Sequence, residues 1–176
     1  MKSPDNSRVE RTQTIRPLAL ADARDLLALR LANREFMAPF DPVRPDAFFT
    51  LEAQTEIARN ADGLTFAILD EGELAGLISL SNVVYEAFRS ANLGYWVDAK
   101  RHGRGLATRA VSALVEHAFG PLGLHRLEAG TLVDNVASQR VLEKNRFERI
   151  GLARNYLHIG GVWRDHLLFQ RTAEPD

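Results

Sequence analysis

The chain of 176 residues has the length of a single domain, with 45% hydrophobic and 26% charged residues and a formal net charge of −1. A charge this close to zero, spread along the chain, gives no sign of a surface for nucleic acid or membrane. The sequence has no cysteine, which excludes disulfides, zinc–thiolate sites and a cysteine nucleophile. The first residues lack the apolar run of a signal peptide, so we expect a cytoplasmic protein.

The first half of the chain predicts one strand, two helices and a hairpin of strands. Apolar residues recur at helical spacing, three prolines interrupt that pattern, and apolar residues then alternate. The predicted elements are a flexible polar segment at 1–12, a strand at 14–17, a helix at 22–31, a proline loop at 39–45, a helix at about 46–59, strands at 64–68 and 74–80 joined by a turn at 70–73, and a polar connection at 81–90.

The second half alternates strands with helices and closes in another hairpin. Its predicted elements are a strand at 91–98, a helix at 103–119, a strand at 126–133, a helix at 135–145, and strands at 147–152 and 162–170 around a turn at 160–161. Along the strand at 91–98, Tyr95 and Trp96 should face opposite sides of the sheet. The order predicts one α/β (α+β) domain over residues 13–172, with a mixed sheet of about seven strands and about four helices.

Two glycines stand where a predicted strand gives way to a helix. Gly103 and Gly105 let the backbone turn tightly, and the N–H groups that begin the helix lack helical acceptors, so this junction suits a phosphate or pyrophosphate. The sequence fits neither a Walker loop, because Leu106 follows the last glycine, nor a dinucleotide fingerprint, because Thr108 replaces its third glycine. The alternative is an ordinary tight turn bordered by solvent-facing arginines.

Two blocks of sequence resemble the GNAT acetyltransferase superfamily. Residues 100–105, Lys-Arg-His-Gly-Arg-Gly, are similar to its Q/R-x-x-G-x-G/A motif, with lysine at the first position. Residues 134–147 resemble its D-N-x-x-S…L-E-K-x-G-F signature, with Arg146 where glycine is usual. That glycine would take the left-handed conformation that ends a helix, and we expect Asn145 to adopt it instead. The resemblance implies the GNAT fold.

Four further segments resemble the RimJ/RimL branch of this superfamily, and the RimJ side is nearer. They lie at residues 33–44, 81–84, 94–96 and 156–166. The branch acetylates protein N-termini, including those of ribosomal proteins. The resemblance therefore implies an N-acetyltransferase that moves the acetyl group of acetyl-CoA, its co-substrate, onto an amine by direct attack in a ternary complex.

The resemblance also implies where acetyl-CoA binds. The strand at 93–98 should splay from the strand at 126–133, with the pantetheine arm in the gap. Backbone groups of Trp96 and Val97 would bind that arm and polarise the acetyl carbonyl, and the amides of residues 103–108 would bind the pyrophosphate. The implied cofactor-binding residues are Trp96, Val97, Arg101, His102, Gly103, Arg104, Gly105, Leu106, Ala107, Thr108, Asn135 and Ser138.

Ser138 is the one catalytic candidate, because its position implies a hydrogen bond or a proton for the leaving thiolate; an ordinary serine in the first turn is the alternative. Asn135 would contact pantetheine, although asparagine equally suits a helix N-cap. The general base stays open among Tyr85, Glu86 and Tyr156, since a loop or rim position explains each as well. The five histidines lack the spacing of metal ligands, so we expect no metal.

Three functions remain open from the sequence, because a fold does not fix a substrate. The first is acetylation of a protein N-terminus, such as that of a ribosomal protein. The second is acetylation of a small amine, such as an antibiotic, a polyamine or an amino acid. The third is a non-catalytic module that binds acyl-CoA. The expected partners are acetyl-CoA and an amine acceptor, without nucleic acid or membrane, and a homodimer is left open.

Overall fold

A mixed sheet of seven strands organises the computed structural model, which describes residues 14–174; the predicted flexible segment at 1–12 lies outside this range. The strands are β1 (Ile15–Pro17), β2 (Thr65–Asp70), β3 (Glu73–Val84), β4 (Ser90–Val97), β5 (Arg126–Leu132), β6 (Glu148–Ile159) and β7 (Val162–Thr172). Their spatial order is β1-β2-β3-β4-β5-β7-β6, with β4 and β5 parallel and every other pair antiparallel. The predicted mixed sheet is confirmed.

Five α-helices lie within the described range, and the four predicted helices are among them. They are α1 (Ala23–Ala32), α2 (Arg34–Met37), α3 (Leu51–Arg59), α4 (Leu106–Phe119) and α5 (Val136–Lys144). The predicted helix at 46–59 is divided, because Thr50 is extended and caps α3 by accepting a hydrogen bond from the Ala53 N–H at 3.2 Å. The residues before it form a 3-10 turn. The single turn of α2 was not predicted.

Two strands are longer than the sequence predicts. β3 continues to Val84 into the segment expected to be a polar connection, and β6 continues to Ile159 instead of ending near residue 152. Both extensions belong to antiparallel hairpins, in which backbone pairing holds residues that bury little side-chain surface. Alternation of apolar and polar residues therefore could not mark where these strands end.

Each face of the sheet has its own apolar cluster. On one face α4 buries Ala110, Val111 and Leu114 completely, and Tyr95 packs at the edge of this cluster. On the other face α1 and α3 pack over the sheet, and Trp96 lies at the edge of that second cluster. Alternation along β4 thus places Tyr95 and Trp96 on opposite faces, as the sequence predicts.

The end of α5 differs from the expectation for its left-handed residue. Asn145 keeps a negative φ of −94°, and Arg146 has the positive φ of +60°. The Asn145 side chain is committed elsewhere, since its Nδ2 donates to the Thr108 carbonyl at 3.1 Å and to the Val141 carbonyl at 2.9 Å. The prediction for Asn145 was wrong, because the hydrogen bonds of its buried side chain keep its backbone in the negative-φ region. The exposed Arg146 adopts the left-handed conformation instead.

Candidate active site

A gap opens between β4 and β5 in the middle of the sheet. The two strands pair at only three positions, Ser90 with Arg126, Ala91 with Leu127 and Asn92 with Glu128. Beyond these pairs β4 continues to Val97 and β5 to Leu132, each hydrogen-bonded only to its outer neighbour. The predicted splay of the two strands is confirmed.

The register of β4 shows which of its backbone groups face the gap. The Asp98 N–H donates to the Ala75 carbonyl at 2.8 Å, and hydrogen-bonded pairs alternate along antiparallel strands. Trp96 lies opposite Leu77 in the next such pair, so the backbone groups of Trp96 point towards β3. Those of Tyr95 and Val97 point towards β5. The gap therefore receives the backbone of Tyr95 and Val97, whereas the sequence analysis named Trp96 and Val97.

At the C-terminal end of β4 the chain makes the expected turn into α4. Gly103 and Gly105 have φ values of +77° and +72°, a conformation that favours glycine, and residues 102–105 are exposed. The first hydrogen bond of α4 runs from the Arg109 N–H to the Gly105 carbonyl at 3.0 Å, so the N–H groups of residues 106–108 have no acceptor within the helix. This cradle of amides fits a pyrophosphate.

The arginines near this turn bind protein atoms. Arg101 pairs with Asp70 at 3.1 Å and also with Glu73, whose hydrogen bond is the main reason that the pKa of Arg101 is raised. Arg104 pairs with the same Asp70 carboxylate at 3.1 Å. The Arg109 guanidinium donates to the Arg104 carbonyl at 2.9 Å. Arg101 and Arg104 therefore tie the turn to the β2–β3 hairpin, and the backbone amides are the main anion donors.

His102 lies where the turn meets the gap. Its Nε2 is 3.0 Å from the Val97 carbonyl oxygen, and its ring meets the Phe36 ring edge-on at 5.1 Å. Because the His102 ring contacts the Val97 carbonyl, the Val97 N–H is the backbone group of this residue that can hydrogen-bond to a ligand in the gap. His102 thus acts on the site by fixing the end of β4.

Ser138 forms a pair with a residue that the sequence analysis did not assign to the site. Its Oγ lies 2.8 Å from the Tyr95 hydroxyl, which also donates to the Ser138 carbonyl at 3.2 Å. Burial raises the pKa of Tyr95 to about 12, so the phenol stays protonated at neutral pH. Asn135 caps α5, because its Oδ1 accepts the Ser138 N–H at 3.1 Å. The segment at 94–96 contains Tyr95 but gives it no role, since its contact with Ser138 depends on how the fold brings the start of α5 beside β4.

On the opposite face of the sheet is a cavity of about 310 Å³, which we call the acceptor-face cavity. Its lining residues are Arg30, Asn33, Arg34, Met37, Ala38, Asp41, Pro42, Val43, Arg44, Phe48, Phe49, Trp96 and Gly160. The Gly160 N–H donates to the Asp41 carbonyl at 3.1 Å and so ties the β6–β7 turn to the proline loop. Among the described residues, the lining contains none of the three candidates for the general base.

Two buried polar atoms on the strands of the gap have no hydrogen-bond partner within residues 14–174. They are the Trp96 Nε1, on the acceptor face, and the Thr131 Oγ1, on the stretch of β5 that has left β4. A buried polar group without a partner is costly and rare. The amides at the start of α4 and the backbone groups of Tyr95 and Val97 that face the gap provide donors and acceptors that fit a polar arm ending in a pyrophosphate.

Neither a cluster of metal ligands nor a membrane-spanning helix is found in the described part of the chain. No group of three His, Asp or Glu side chains there could hold a metal ion. Within residues 14–174, no helix combines the length and the apolar character that crossing a bilayer requires.

Comparison with known proteins agrees with this geometry. The chain matches the acetyltransferase (GNAT) domain family over residues 13–148. The probable N-acetyltransferase YjcK of Bacillus subtilis is 37% identical over 165 residues, covering 89% of this chain and 91% of that protein. The ribosomal protein uS5 alanine N-acetyltransferase of Escherichia coli is 33% identical over 153 residues, covering 82% and 78%.

A solved structure carries the same fold. Mycobacterium smegmatis RimJ, in complex with CoA-disulfide, superposes with a TM-score of 0.85 at 34% identity, covering 90% of this chain and 81% of that one. The glycine turn, the gap and the domain match together identify acetyl-CoA as the co-substrate. The chain belongs to the GNAT acetyltransferase family and is an acetyl-CoA-dependent N-acetyltransferase.

Proposed function

We propose that this enzyme acetylates the N-terminal α-amine of a protein, with a ribosomal protein as the leading substrate. The basic lining of the acceptor-face cavity is the observation that carries the proposal. Three arginines line the cavity, and two of them are paired with Asp41 and Asp46, so one unpaired positive charge remains and would repel a polyamine or another polycationic small amine. A protein N-terminus brings a single positive charge and loses it when the amine becomes reactive. The relatives that act on ribosomal proteins support the same acceptor.

In the proposed mechanism, backbone groups bind the co-substrate. The N–H groups of Leu106, Ala107 and Thr108 take the pyrophosphate, and the backbone of Tyr95 holds the pantetheine arm. The Val97 N–H then hydrogen-bonds to the thioester oxygen, on which negative charge develops during attack. Asn135 contributes by capping α5 and holding Ser138 in place. These donors are fixed before the reaction, which is what makes such stabilisation effective.

The amine attacks directly, because the chain has no cysteine to form a thioester intermediate. The amine nitrogen bonds to the carbonyl carbon, the carbon–sulfur bond breaks, and the ammonium proton leaves to water. An α-amine has a pKa of about 7.7–8.0, so a substantial fraction is neutral near physiological pH and a strong base is not required. This accounts for an acceptor-face cavity whose lining contains, among the described residues, none of the three base candidates.

Ser138 and Tyr95 act on the leaving group. The Ser138 hydroxyl donates a hydrogen bond to the departing sulfur, and the single proton of the Tyr95 hydroxyl turns from the Ser138 carbonyl to the Ser138 Oγ, which lies 2.8 Å away. Because the pKa of Tyr95 is raised to about 12, the phenol keeps its proton and supports the Ser138 hydroxyl, which is the hydrogen-bond donor to the thiolate. The thiolate then takes its proton from solvent or remains ionised.

The test is a panel of acceptors incubated with acetyl-CoA and read by mass spectrometry. The panel contains peptides with a free N-terminal Ala or Ser, lysine peptides with blocked N-termini, and small amines. We expect acetylation of the free α-amines alone. Ser138→Ala should slow this transfer, whereas the matched variant Arg140→Ala, an exposed site on the same helix, should not. Transfer to small amines alone would rule out the protein acceptor, and CoA binding without any transfer would favour a non-catalytic module.

A further inference from the structure

One cation in the acceptor-face cavity has no counter-charge. Arg30, on α1, is partly buried, and no carboxylate of residues 14–174 lies within the 4.0 Å of a salt bridge to it. The other two arginines of the lining are each paired, Arg34 with Asp46 and Arg44 with Asp41. Arg30 is therefore the lining cation that is still available to an anion.

The guanidinium of Arg30 is held in a fixed position. Its Nε donates to the Gln54 Oε1 at 3.1 Å, and Gln54 is fully buried with its amide donating to the Phe48 carbonyl. The planar group also stacks over the Phe48 ring at 4.8 Å and the Trp96 ring at 5.0 Å. Because Gln54 uses the Nε–H of the Arg30 guanidinium, the N–H groups on the two terminal nitrogens of Arg30 are the donors that can bind a ligand.

The charges around Arg30 in the acceptor-face cavity favour binding of an anionic ligand. Burial, opposed by Asp41 and reinforced by Arg44, lowers the pKa of Arg30 to about 10, so the side chain is still charged at neutral pH. A charge that has lost water without gaining an ion-pair partner is costly to keep. A carboxylate would offer its two oxygens to the N–H groups of Arg30 that Gln54 does not use.

The position of the cavity relates this anion to the reacting amine. Trp96 stands on β4 between Tyr95 and Val97, whose backbone groups face the gap, while its own ring faces Arg30. A group bound by Arg30 therefore lies beside the ring of Trp96, the residue between the two whose backbone groups face the gap. The cavity volume of about 310 Å³ is at the lower end for ligand pockets, which suits the first residues of a chain.

We propose that Arg30 binds a carboxylate of the acceptor, carried by an Asp or Glu at the second or third residue of the N-terminus that is acetylated. This inference rests on the proposed function, because it assigns the carboxylate to an α-amine acceptor. It adds a preference among N-termini that the fold itself does not provide.

The experiment measures peptide binding by titration calorimetry in the presence of CoA. Two C-terminally amidated peptides begin with Ala-Glu and Ala-Gln and are otherwise identical. A second pair carries Glu or Gln at the third residue. The expected result is tighter binding of a Glu peptide by about tenfold or more, as for a hydrogen-bonded ion pair. Arg30→Met should abolish this preference, and the matched variant Arg24→Met, exposed on the same helix, should retain it. Equal binding of both pairs to the unaltered enzyme, or a preference that survives in Arg30→Met, would overturn the inference.

A second variant keeps the test decisive if Arg30→Met does not fold. The double variant Asp41→Asn/Arg44→Gln removes the neighbouring ion pair as a unit and leaves Arg30 in place, so the preference for Glu over Gln should be retained; its loss would assign the carboxylate to Arg44 and overturn the inference. Binding of free glutamate is measured in the same way. If glutamate binds as tightly as the Glu peptide, the carboxylate belongs to a small amino acid, and the inference of a peptide acceptor is overturned.

Acetyl transfer to the same peptides is measured separately by mass spectrometry. Absence of transfer to any α-amine would refute the proposed function, while the binding preference still decides the inference about Arg30.

Discussion

The pairing of Tyr95 with Ser138 gives the sharpest prediction about catalysis. Tyr95→Phe removes only the hydroxyl that lies 2.8 Å from the Ser138 Oγ. A hydrogen bond that helps to carry developing charge contributes about 1.5–3 kcal/mol, which corresponds to about a 10- to 150-fold loss of kcat. A hydrogen bond between neutral groups that only supports packing contributes about 0.5–1.5 kcal/mol, and its loss would lower stability and leave kcat almost unchanged.

The assay follows CoA release with a thiol reagent, and the enzyme gives no background because it has no cysteine. Tyr95→Phe, Ser138→Ala and the double variant form a cycle in kcat. If the two hydroxyls act as one unit, the double variant should be about as slow as Ser138→Ala alone. Losses that multiply in the double variant, or a kcat unchanged in Tyr95→Phe, would refute the reasoning.

The pH profile gives an independent check on Tyr95. Because its pKa is raised to about 12, the phenol loses no proton below pH 9. The kcat of the unaltered enzyme should therefore rise with deprotonation of the amine and show no decline from Tyr95 up to pH 9. A falling limb that disappears in Tyr95→Phe would contradict the assigned protonation state.

Three further predictions concern the backbone and one ion pair. Arg146→Gly should raise the free energy of unfolding in urea by about 0.5–1 kcal/mol, since glycine adopts the φ of +60° without strain; a destabilised variant would show that the arginine side chain matters more. Gly105→Ala should cost about 1–2 kcal/mol in the same measurement and weaken CoA binding in calorimetry, because its Cβ would stand 3.3 Å from the Arg109 Nη1 at a left-handed position; unchanged CoA affinity would count against the amide cradle. Hydrogen bonding to Arg16 lowers the pKa of Asp22, so its stabilisation is present above the unfolded pKa of about 3.9 and is lost as pH falls through the lower folded value. Asp22→Asn should therefore destabilise the protein at pH 7 and much less near pH 2, and an equal loss at both values would exclude this linkage.

Features determined by local sequence were predicted well. The glycine turn before α4 and the opposite faces of Tyr95 and Trp96 follow from neighbouring residues and from the two-residue period of a strand. Their positions in the structure confirm both predictions. The homodimer and the segment at residues 1–12 stay predictions.

Features that depend on tertiary contacts were missed. The hydrogen bond of Tyr95 joins residues 43 positions apart, and it exists because the fold brings the start of α5 beside β4. The left-handed residue at the end of α5 was misassigned because the Asn145 side chain reaches Thr108 on another helix. The cavity around Arg30 combines α1, the proline loop, β4 and the β6–β7 turn, and no segment alone reveals it.

The short contact between β4 and β5 has a consequence for the stability of the whole fold. Because β4 and β5 pair at only three residues each, the sheet consists of two halves, β1–β4 and β5–β7. The halves are joined by this short parallel pairing and by the helices packed on the sheet. A ligand that hydrogen-bonds to the backbone of both Val97 and β5 would therefore add a further link between the two halves of the sheet. By thermodynamic linkage, its binding should raise the unfolding temperature of the entire domain and slow hydrogen exchange on both strands, including positions that it does not touch.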